Sequence, residues 1–444
     1  MTTSYWVAVA HLPDGVASRV RITEHAGLIT AISADVELER SDTALDGVAL
    51  PGFANTHSHA FHRALRGRTH ADGGTFWTWR QQMYALASRL DPDRYFTLAR
   101  AVYVEMVLAG MTVVGEFHYL HHDHQGRPYA DPNAMSEALV AAAAEAGIRL
   151  TLLDACYLSG GLTDGGHQPL DPVQRRFSDG TVERWAARVG AFAAAQAGSD
   201  TVRVGAAAHS VRAVPSEDLR RLGRLRPAGP LHVHLSEQPA ENAAVQAFYG
   251  CTPTELLRRD GLLGPATTAV HATHLTTHDI SLLGDTGTGA CFCPTTERDL
   301  ADGIGPARAL QDAGSPLSLG SDQHAVIDMF EEMRGLEMHE RLSTGQRGRF
   351  TPTDLIAAAS PAGHTALGWD GGGRIAVGAP ADLVIIDPSS VRTAGSRPAQ
   401  LHYSATAADV RDVIIGGRRV VTNGAHLLDD ALLASSPTDL EDHR

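Results

Sequence analysis

The stretch GVALPGFANTHSH, residues 47–59, is an apolar run that ends in two closely spaced histidines, His57 and His59. Seven further apolar runs of strand length follow it, and polar or histidine residues stand at the end of nearly all of them. These runs are TVVGEFHYL (112–120), RLTLLDACY (149–157), VRVGAAAHSV (202–211), PLHVHLSE (230–237), TTAVHATHL (267–275), GACFCPTT (289–296) and SPLSLGSDQH (315–324). Helix-like stretches such as AMSEALVAAAAEAG (134–147) separate them. Strands that alternate with helices eight times are typical of a (β/α)8 barrel of the TIM type. We therefore predict an α/β fold with a barrel over residues 51–370.

Both ends of the chain have a different pattern, with short β segments and few helical stretches. The N-terminal segments are YWVAVA (5–10), RVRITEH (19–25) and LITAISA (28–34), and the C-terminal ones are RIAVGAPADLVIIDP (374–388) and VRDVIIGGRRVVTNG (410–424). Such runs, bounded by glycine and polar residues, indicate strands. We expect residues 1–50 and 371–430 to form one small β-sandwich domain, followed by a C-terminal tail over 431–444.

Composition excludes several classes of protein. The net charge is −14 and the basic residues form no patch, so nucleic acid is not an expected partner. No stretch approaches the roughly 18 apolar residues that span a membrane, and the N-terminus lacks the features of a signal peptide, so we expect a cytoplasmic protein. All 37 basic residues are arginine, which excludes a lysine Schiff base and a carboxylated lysine between two metals. The four cysteines form no C-x-x-C pair and are expected to be reduced thiols.

The two histidines of the first run are spaced for a common target. His57 and His59 are two residues apart, so on a strand their side chains point to the same side. The fifth run repeats this spacing with His232 and His234, and Glu237 follows three residues later. In a barrel, the carboxyl ends of the strands meet on one face, where active sites lie. We expect these side chains to gather there.

The sixth and eighth runs add the same kinds of side chain. His271 and His274 follow the sixth run, and Asp322 follows the eighth. Histidine and carboxylate are the usual ligands of catalytic zinc, which keeps one position open for water. The sequence therefore predicts a site for one divalent metal ion. Zinc is the first expectation, and iron and manganese stay open because the same ligands accept them.

In their order along the chain, these residues resemble the amidohydrolase superfamily, which has H-x-H after strand one, histidines after strands five and six and aspartate after strand eight. The resemblance covers nearly the whole chain, including the return into a small β domain at RIAVGAPADLVIIDP. HLSE (234–237) is similar to the H-x-x-E motif of the mononuclear aminohydrolase branch, and the missing lysine agrees with that branch.

A narrower resemblance connects the chain with the N-formimidoyl-L-glutamate deiminases of histidine degradation. It is carried by FWTWRQQMY (76–84), GEFHYLHHD (115–123), HSVRAV (209–214) and CPTTERDLADGI (293–304). One position departs from the pattern, since His62 stands where this family often has glutamine.

The resemblance implies a set of metal ligands and catalytic residues. The ligands would be His57, His59, His234 and Asp322. The bound ion would acidify a water molecule so that it attacks near neutral pH, and Asp322 would also accept that water's proton. Glu237 would carry a proton to the imino nitrogen, so that ammonia leaves. His271 would orient the nucleophile, with His274 as the second choice.

The implied substrate is small and anionic, with two carboxylates. Arginine suits such a ligand because its planar guanidinium pairs bidentately with a carboxylate. Arg212 is the first candidate and Arg80 the second, and hydrogen bonds could come from Tyr119, His209 and His62. Trp77 and Trp79 are expected to wall the pocket, and the resemblance implies a homodimer.

Two other interpretations stay open. The first is an aminohydrolase that acts on a purine, pterin or triazine ring, whose pocket would present stacking aromatic side chains and readers of ring edges. The second is a non-catalytic scaffold with the hydrolase fold, since a fold alone does not establish activity. Metal analysis separates the second from an enzyme, because about one ion per chain is expected only for the enzyme.

Overall fold

The computed structural model describes residues 2–70 and 74–428 and contains two large sheets. The predicted tail over 431–444 lies outside the described residues. Four strands precede the barrel: β1 (Thr2–Leu12), β2 (Gly15–His25), β3 (Leu28–Ser33) and β4 (Thr43–Pro51).

The second sheet is a parallel barrel that confirms the fold predicted from the eight apolar runs. Its strands are β5 (Phe53–Ser58), β6 (Met111–His118), β7 (Arg149–Cys156), β10 (Val202–Ser210), β11 (Leu231–Leu235), β12 (Thr267–His271), β13 (Gly289–Phe292) and β14 (Leu317–Leu319). Each strand pairs in parallel with the next one in this order. The short strands β8 (Gly161–Thr163) and β9 (Gly166–Gln168) form an antiparallel hairpin after β7.

Helices connect the barrel strands, and the last three helices follow β14. They are α1 (Phe76–Ala87), α2 (Pro92–Leu108), α3 (Ala134–Ala146), α4 (Val182–Ala195), α5 (Ser216–Leu225), α6 (Pro239–Tyr249), α7 (Pro253–Arg259), α8 (Thr277–Asp285), α9 (Pro294–Asp299), α10 (Ala307–Ala313), α11 (Met329–Thr344), α12 (Pro352–Ala359) and α13 (Pro361–Ala366). Helix α2 begins where Asp91 accepts a hydrogen bond from the Arg94 N–H and Pro92 takes the first position. Helix α3 ends at Gly147 in the left-handed conformation, φ 73°. Short 3-10 helices lie at Ala60–Leu65, Val173–Phe177, Pro398–Tyr403 and Ala407–Asp409.

The first apolar run divides between the two sheets. Strand β4 ends at Pro51 and pairs with the terminal sheet, whereas β5 begins at Phe53 and belongs to the barrel. Between them, a Cβ atom on Gly52 would lie 2.4 Å from the Thr112 hydroxyl oxygen. Only glycine therefore fits at this crossing. The run reads as one segment because both of its halves are buried, and apolar composition does not reveal a change of sheet.

The terminal sheet combines both ends of the chain, as predicted. Strands β15 (Leu383–Ile386), β16 (Val410–Ile415), β17 (Arg418–Thr422) and β18 (Ala425–His426) complete it, in the order β18-β17-β16-β15-β4-β1-β2-β3. Its far edge curls back, since Leu28 of β3 bridges to Pro380 just before β15. The curled sheet encloses its own apolar cluster, with side chains such as Val7, Ile22 and Leu383.

The barrel closes where its first and last strands meet. Ser58 and Asp322 form a parallel bridge, and a Cβ atom on Gly320 would lie only 2.8 Å from the backbone of His57. This contact brings the ends of β5 and β14 side by side. Among the described residues, no helix combines the length and apolar character needed to cross a lipid bilayer.

Candidate metal centre and active-site pocket

The four predicted metal ligands converge at the carboxyl ends of three strands. His57 lies at the end of β5, His59 directly follows that strand, His234 lies on β11, and Asp322 follows β14. His57 Nε2 lies 3.2 Å from His234 Nε2 and 3.3 Å from Asp322 Oδ1, and His59 Nε2 lies 3.5 Å from the same oxygen. Two ligand atoms about 2.1 Å from a tetrahedral ion stand about 3.4 Å apart. These separations therefore fit one small ion.

Hydrogen bonds fix the tautomers of two of these histidines. His59 Nδ1 donates to the Phe117 carbonyl oxygen at 2.8 Å, and His234 Nδ1 donates to the His209 carbonyl oxygen at 3.0 Å. In the neutral ring, the proton on Nδ1 leaves a lone pair on Nε2, which faces the cluster. Both imidazoles are thus oriented as metal ligands by the backbone of neighbouring strands.

The electrostatics of the cluster also favour a cation. Burial lowers the pKa of His57, and burial with the neighbouring His57 ring lowers the pKa of His59 to about 3. Burial and the adjacent imidazoles hold the pKa of His234 well below its ordinary value. Burial disfavours ionisation of Asp322, but its contact with His57 outweighs burial and lowers the pKa of Asp322. Near neutral pH, the site presents neutral imidazoles around one carboxylate, the donor set that zinc takes.

Left-handed backbone marks the ends of the strands that build this site. Ser236, His271 and Asp322 have φ values of 49°, 68° and 42°. Residues other than glycine rarely adopt this conformation, and it costs of order 1 kcal/mol or more. Ser236 follows β11, His271 ends β12, and Asp322 follows β14. The chain therefore turns sharply at the strand ends that direct side chains into the pocket.

The predicted proton-handling residues lie beside the ligand cluster. His271 Nε2 is 3.8 Å from Glu237 Oε1 and 3.8 Å from Asp322 Oδ2, while its Nδ1 faces Glu297 Oε1 at 3.5 Å. Burial disfavours protonation of His271, but the hydrogen bond to Glu297 and the charges of Glu237 and Asp322 raise its pKa well above the ordinary value. The raised pKa favours the protonated ring of His271, and its Nε2 faces the carboxylates of Glu237 and Asp322. His274 lies outside the pocket lining.

One cavity of about 390 Å³ joins the metal cluster to the predicted substrate-binding residues. Its lining includes all five of these residues, together with the ligands and proton carriers that reach its surface: Arg212, Arg80, Tyr119, His209, His62, His59, His234, Asp322, Glu237 and His271. A cavity of this volume suits a small molecule. Trp77 and Trp79 also line it, as expected for wall residues.

The two candidate arginines are paired differently. Arg212 Nε donates to Glu241 Oε2 at 2.6 Å and its Nη2 donates to Glu237 Oε2 at 3.2 Å. Arg80 donates to neutral oxygens, the Tyr84 hydroxyl at 2.6 Å and the Gly160 carbonyl at 3.4 Å. Among the described residues, no carboxylate forms an ion pair with Arg80, so its charge is available to an anionic ligand.

The remaining candidates form an aromatic and polar wall. His62 Nε2 lies 2.8 Å from the Tyr119 hydroxyl, and its ring meets Trp79 edge-on at 5.1 Å. The His209 ring packs 4.6 Å from Tyr157. His62 sits in the 3-10 turn after β5, where its ring lies 4.5 Å from the ring of His59 and also lines the cavity.

Several histidines of the sequence motifs lie elsewhere. His232 Nε2 donates to the Ala366 carbonyl oxygen and does not line the cavity. His118 and His121 of GEFHYLHHD are buried near Asp154, on the other side of β6 from Phe117. Both oxygens of Asp154 already accept hydrogen bonds from Arg188, at 2.7 and 2.8 Å. This second cluster is therefore a buried ion-pair network rather than part of the pocket.

Sequence reasoning missed three features of the pocket. Glu241, in the first turn of α6, pairs with Arg212, and Glu297, in α9, supports His271. The β8–β9 hairpin contributes Leu162, Thr163 and Gln168 to the lining. The nearest signal for Glu241 was its position four residues after Glu237, but its arginine partner lies on another barrel loop. Glu297 stood within CPTTERDLADGI without a predicted task.

Comparisons with known proteins agree with this architecture. The model of the amidohydrolase family matches residues 48–420. A formimidoylglutamate deiminase of Pseudomonas aeruginosa is 36% identical over 436 residues, covering 94% of each chain. An 8-oxoguanine deaminase of the same organism is 30% identical over 387 residues, covering 85% of this chain and 83% of the relative. The crystal structure of an amidohydrolase from Brucella melitensis superposes with a TM-score of 0.90 at 32% identity, covering 99% of both chains. The chain therefore belongs to the amidohydrolase family.

Proposed function

We propose that this protein is a metal-dependent deiminase that hydrolyses N-formimidoyl-L-glutamate to N-formyl-L-glutamate and ammonia. The observation that carries the proposal is one cavity in which three of the expected ligands, His59, His234 and Asp322, are joined to two arginines. The P. aeruginosa relative named as a formimidoylglutamate deiminase supports the same substrate.

The metal ligands and the ion have separate tasks. His57, His59, His234 and Asp322 would hold one divalent ion, and zinc suits their donor set. When bound, the ion supplies a water molecule acidic enough to serve as a nucleophile near neutral pH.

Proton transfers are assigned to three side chains of the chain itself. Asp322 accepts a proton from the attacking water through the carboxylate oxygen that faces His271. Glu237 delivers to the imino nitrogen the two protons that the attacking oxygen loses, one on attack and one as its double bond to carbon forms, so the carbon–nitrogen bond breaks with ammonia as the leaving group. The protonated His271 donates a hydrogen bond toward the oxygen that becomes the formyl group, which stabilises charge that develops during attack.

Binding of the two substrate carboxylates is assigned to the two arginines that line the cavity. Arg80 offers an unpaired charge, and the Trp77 and Tyr84 rings lie 5.5 and 5.1 Å from its guanidinium carbon. Arg212 offers the Nη1 group, which no described residue accepts. Hydrogen bonds from Tyr119, His209 and His62 would complete the subsite.

Ammonia release tests the proposal directly. The zinc-loaded protein is incubated with N-formimidoyl-L-glutamate, and ammonia and N-formyl-L-glutamate are measured together. Equal amounts of both products are expected. If the protein releases ammonia only from a purine, pterin or triazine, it is a ring aminohydrolase and the proposed function is wrong. The relative named as an 8-oxoguanine deaminase supports that alternative. A protein that binds no metal and turns over neither class would be the non-catalytic scaffold.

A further inference from the structure

Glu241 is an acid in the pocket that none of the proposed steps uses. It lies in the first turn of α6, and its side chain is fully buried. One oxygen, Oε2, accepts the Nε–H of Arg212 at 2.6 Å, and the other, Oε1, accepts the backbone N–H of Ser236 at 2.9 Å. Both carboxylate oxygens therefore accept hydrogen bonds from residues next to Glu237, the proposed proton carrier.

Arg212 is shared between two carboxylates with unequal contacts. The Glu241 contact at 2.6 Å is shorter than the Glu237 contact at 3.2 Å, and Glu241 is the more buried of the two acids. Short, charge-assisted bonds between buried groups are the strong ones. Glu241 is thus the principal partner of Arg212, and Glu237 is held by a single, longer hydrogen bond.

The geometry of the guanidinium group explains why the pairing of Arg212 with Glu241 affects Glu237. Its Nε and Nη2 groups form one edge, and here each of them faces a different carboxylate. If Glu241 did not occupy Nε, Arg212 could present the whole edge to Glu237 in a bidentate pair. That pair would withdraw both the arginine and the proton carrier from the ligand.

The backbone of Arg212 is fixed as well. Its carbonyl oxygen lies 3.2 Å from His167 Nδ1, in the hairpin that lines the cavity. Because the backbone is held there and Glu241 holds the side chain at Nε, the orientation of the Nη1 group is set before any ligand arrives. Pre-set groups bind tightly because they lose little entropy on binding.

We propose that Glu241 is a positioning residue for a carboxylate subsite: by holding Arg212 at Nε, it keeps Nη1 directed into the cavity and keeps Glu237 out of a bidentate pair. This inference rests on the proposed function for the identity of the substrate. The geometric part, that Glu241 prepares Arg212 for a carboxylate ligand, is independent of which reaction follows.

The test uses Glu241→Gln, which keeps an acceptor for the Ser236 N–H and removes the negative charge that holds Arg212. The matched control is Glu337→Gln. Glu337 also accepts an arginine Nε at 2.6 Å and backbone N–H groups at 2.8 Å, but it lies outside the cavity lining. A loss of buried charge alone would affect both variants alike.

Two readouts separate positioning from stability. Calorimetry measures the affinity of the subsite for glutarate, a dicarboxylate without an amidine. We expect glutarate to bind about tenfold more weakly to Glu241→Gln than to the wild type, and with unchanged affinity to Glu337→Gln. Kinetics compare N-formimidoyl-L-glutamate with N-butylformamidine, an amidine without carboxylates. The ratio of the two kcat/KM values should fall about tenfold in Glu241→Gln, mainly through KM of the dicarboxylate.

The outcomes decide between the two proposals. Any one of three results would overturn the positioning role. These are unchanged glutarate affinity in Glu241→Gln, no glutarate binding to the wild type, and an equal loss of kcat/KM for both amidines in Glu241→Gln. If the wild type releases no ammonia from N-formimidoyl-L-glutamate but Glu241→Gln weakens glutarate binding, the function is wrong and the positioning role stands. Should Glu241→Gln fail to fold, Glu241→Asp keeps the charge on a shorter side chain and is expected to weaken glutarate binding in the same direction.

Discussion

Asp322 donates its backbone N–H to the carbonyl oxygen of His57 at 3.0 Å, and its carboxylate oxygen lies 3.3 Å from His57 Nε2. The same residue accepts the backbone N–H of His59 at 3.1 Å. Two proposed ligand segments, separated by most of the barrel sequence, are thus held as one unit by the hydrogen bonds that close the barrel. These backbone hydrogen bonds set the relative positions of the two ligand segments.

Substituting Asp322 should therefore remove the ion and leave the fold. Asp322→Asn is the suitable variant, because asparagine tolerates the left-handed φ of 42° at this position. We expect metal affinity to fall by more than the roughly 10–100-fold that is typical of residues supporting a ligand. Metal analysis after dialysis, with circular dichroism to check the fold, measures both effects. One ion per chain in a folded, active Asp322→Asn protein would contradict the assignment.

Glu237→Gln should abolish turnover while the ion stays bound. Glu237 lies 3.8 Å from His271 and belongs to none of the clusters that fit a metal. A glutamine keeps the size of the side chain but carries no proton to the leaving nitrogen, so kcat should fall by about 10²–10⁴-fold. The metal content of the same sample is the control. Activity within a few-fold of wild type would assign the proton transfer to another residue.

Asp302 should make stability depend on pH. It is buried, and burial followed by the charge of Glu237 raises its pKa to about 8. The ordinary value in the unfolded chain is about 3.9. The folded state therefore binds the proton more tightly, and the stability contributed by this group is complete below pH about 4 and is lost as the pH rises through about 8.

Asp302→Asn tests this sign, because the amide mimics the protonated acid and still accepts from Gln238. The variant should unfold at the same temperature as wild type near pH 4 and at a higher temperature near pH 8. Thermal unfolding at the two pH values measures the difference. A variant that is equally stable or less stable than wild type at pH 8 would show that Asp302 is ionised in the folded protein.

The barrel could be predicted because its strands are short, apolar and punctuated by polar residues at one end. His57, His234 and Asp322 were recognisable for the same reason, since each stands at or just beyond a strand end. The spacing of such residues along the chain carries the information that places them on one face.

The partners of these residues could not be predicted in the same way. Glu241 contacts Arg212 from a different loop, and Glu297 contacts His271 from α9. Such contacts depend on how helices pack on the barrel, which hydrophobic periodicity does not specify. The β8–β9 hairpin was also missed, because strands of three residues have no periodic pattern to detect.

The two pocket arginines should differ in their effect on stability. Arg212→Met leaves Glu241 and Glu237 without their buried counter-charge, a change that typically costs about 4 kcal/mol. Arg80→Met breaks no described ion pair, so the melting temperature should stay within a few degrees of wild type. Both variants should lower kcat/KM for N-formimidoyl-L-glutamate by about 10–100-fold with the metal retained. An unchanged kcat/KM would remove the affected arginine from the substrate site.

His62 should act as a neutral hydrogen-bonding residue rather than as an acid or base. Burial and the adjacent His59 ring hold its pKa well below the ordinary value, and its Nε2 lies 2.8 Å from the Tyr119 hydroxyl. Glutamine also offers an amide at this distance from the main chain, so His62→Gln should keep kcat/KM within about threefold. His62→Leu leaves the buried Tyr119 hydroxyl without this partner, and a lost hydrogen bond of about 1 kcal/mol predicts a roughly fivefold decrease in kcat/KM.

Because the His62 ring is neutral in the wild type, neither variant should move the pH profile of kcat/KM between about pH 6 and 8. Profiles of the three proteins, measured at equal metal content, decide the point: a shift on replacement by glutamine would mean that His62 titrates during turnover and takes part in proton transfer.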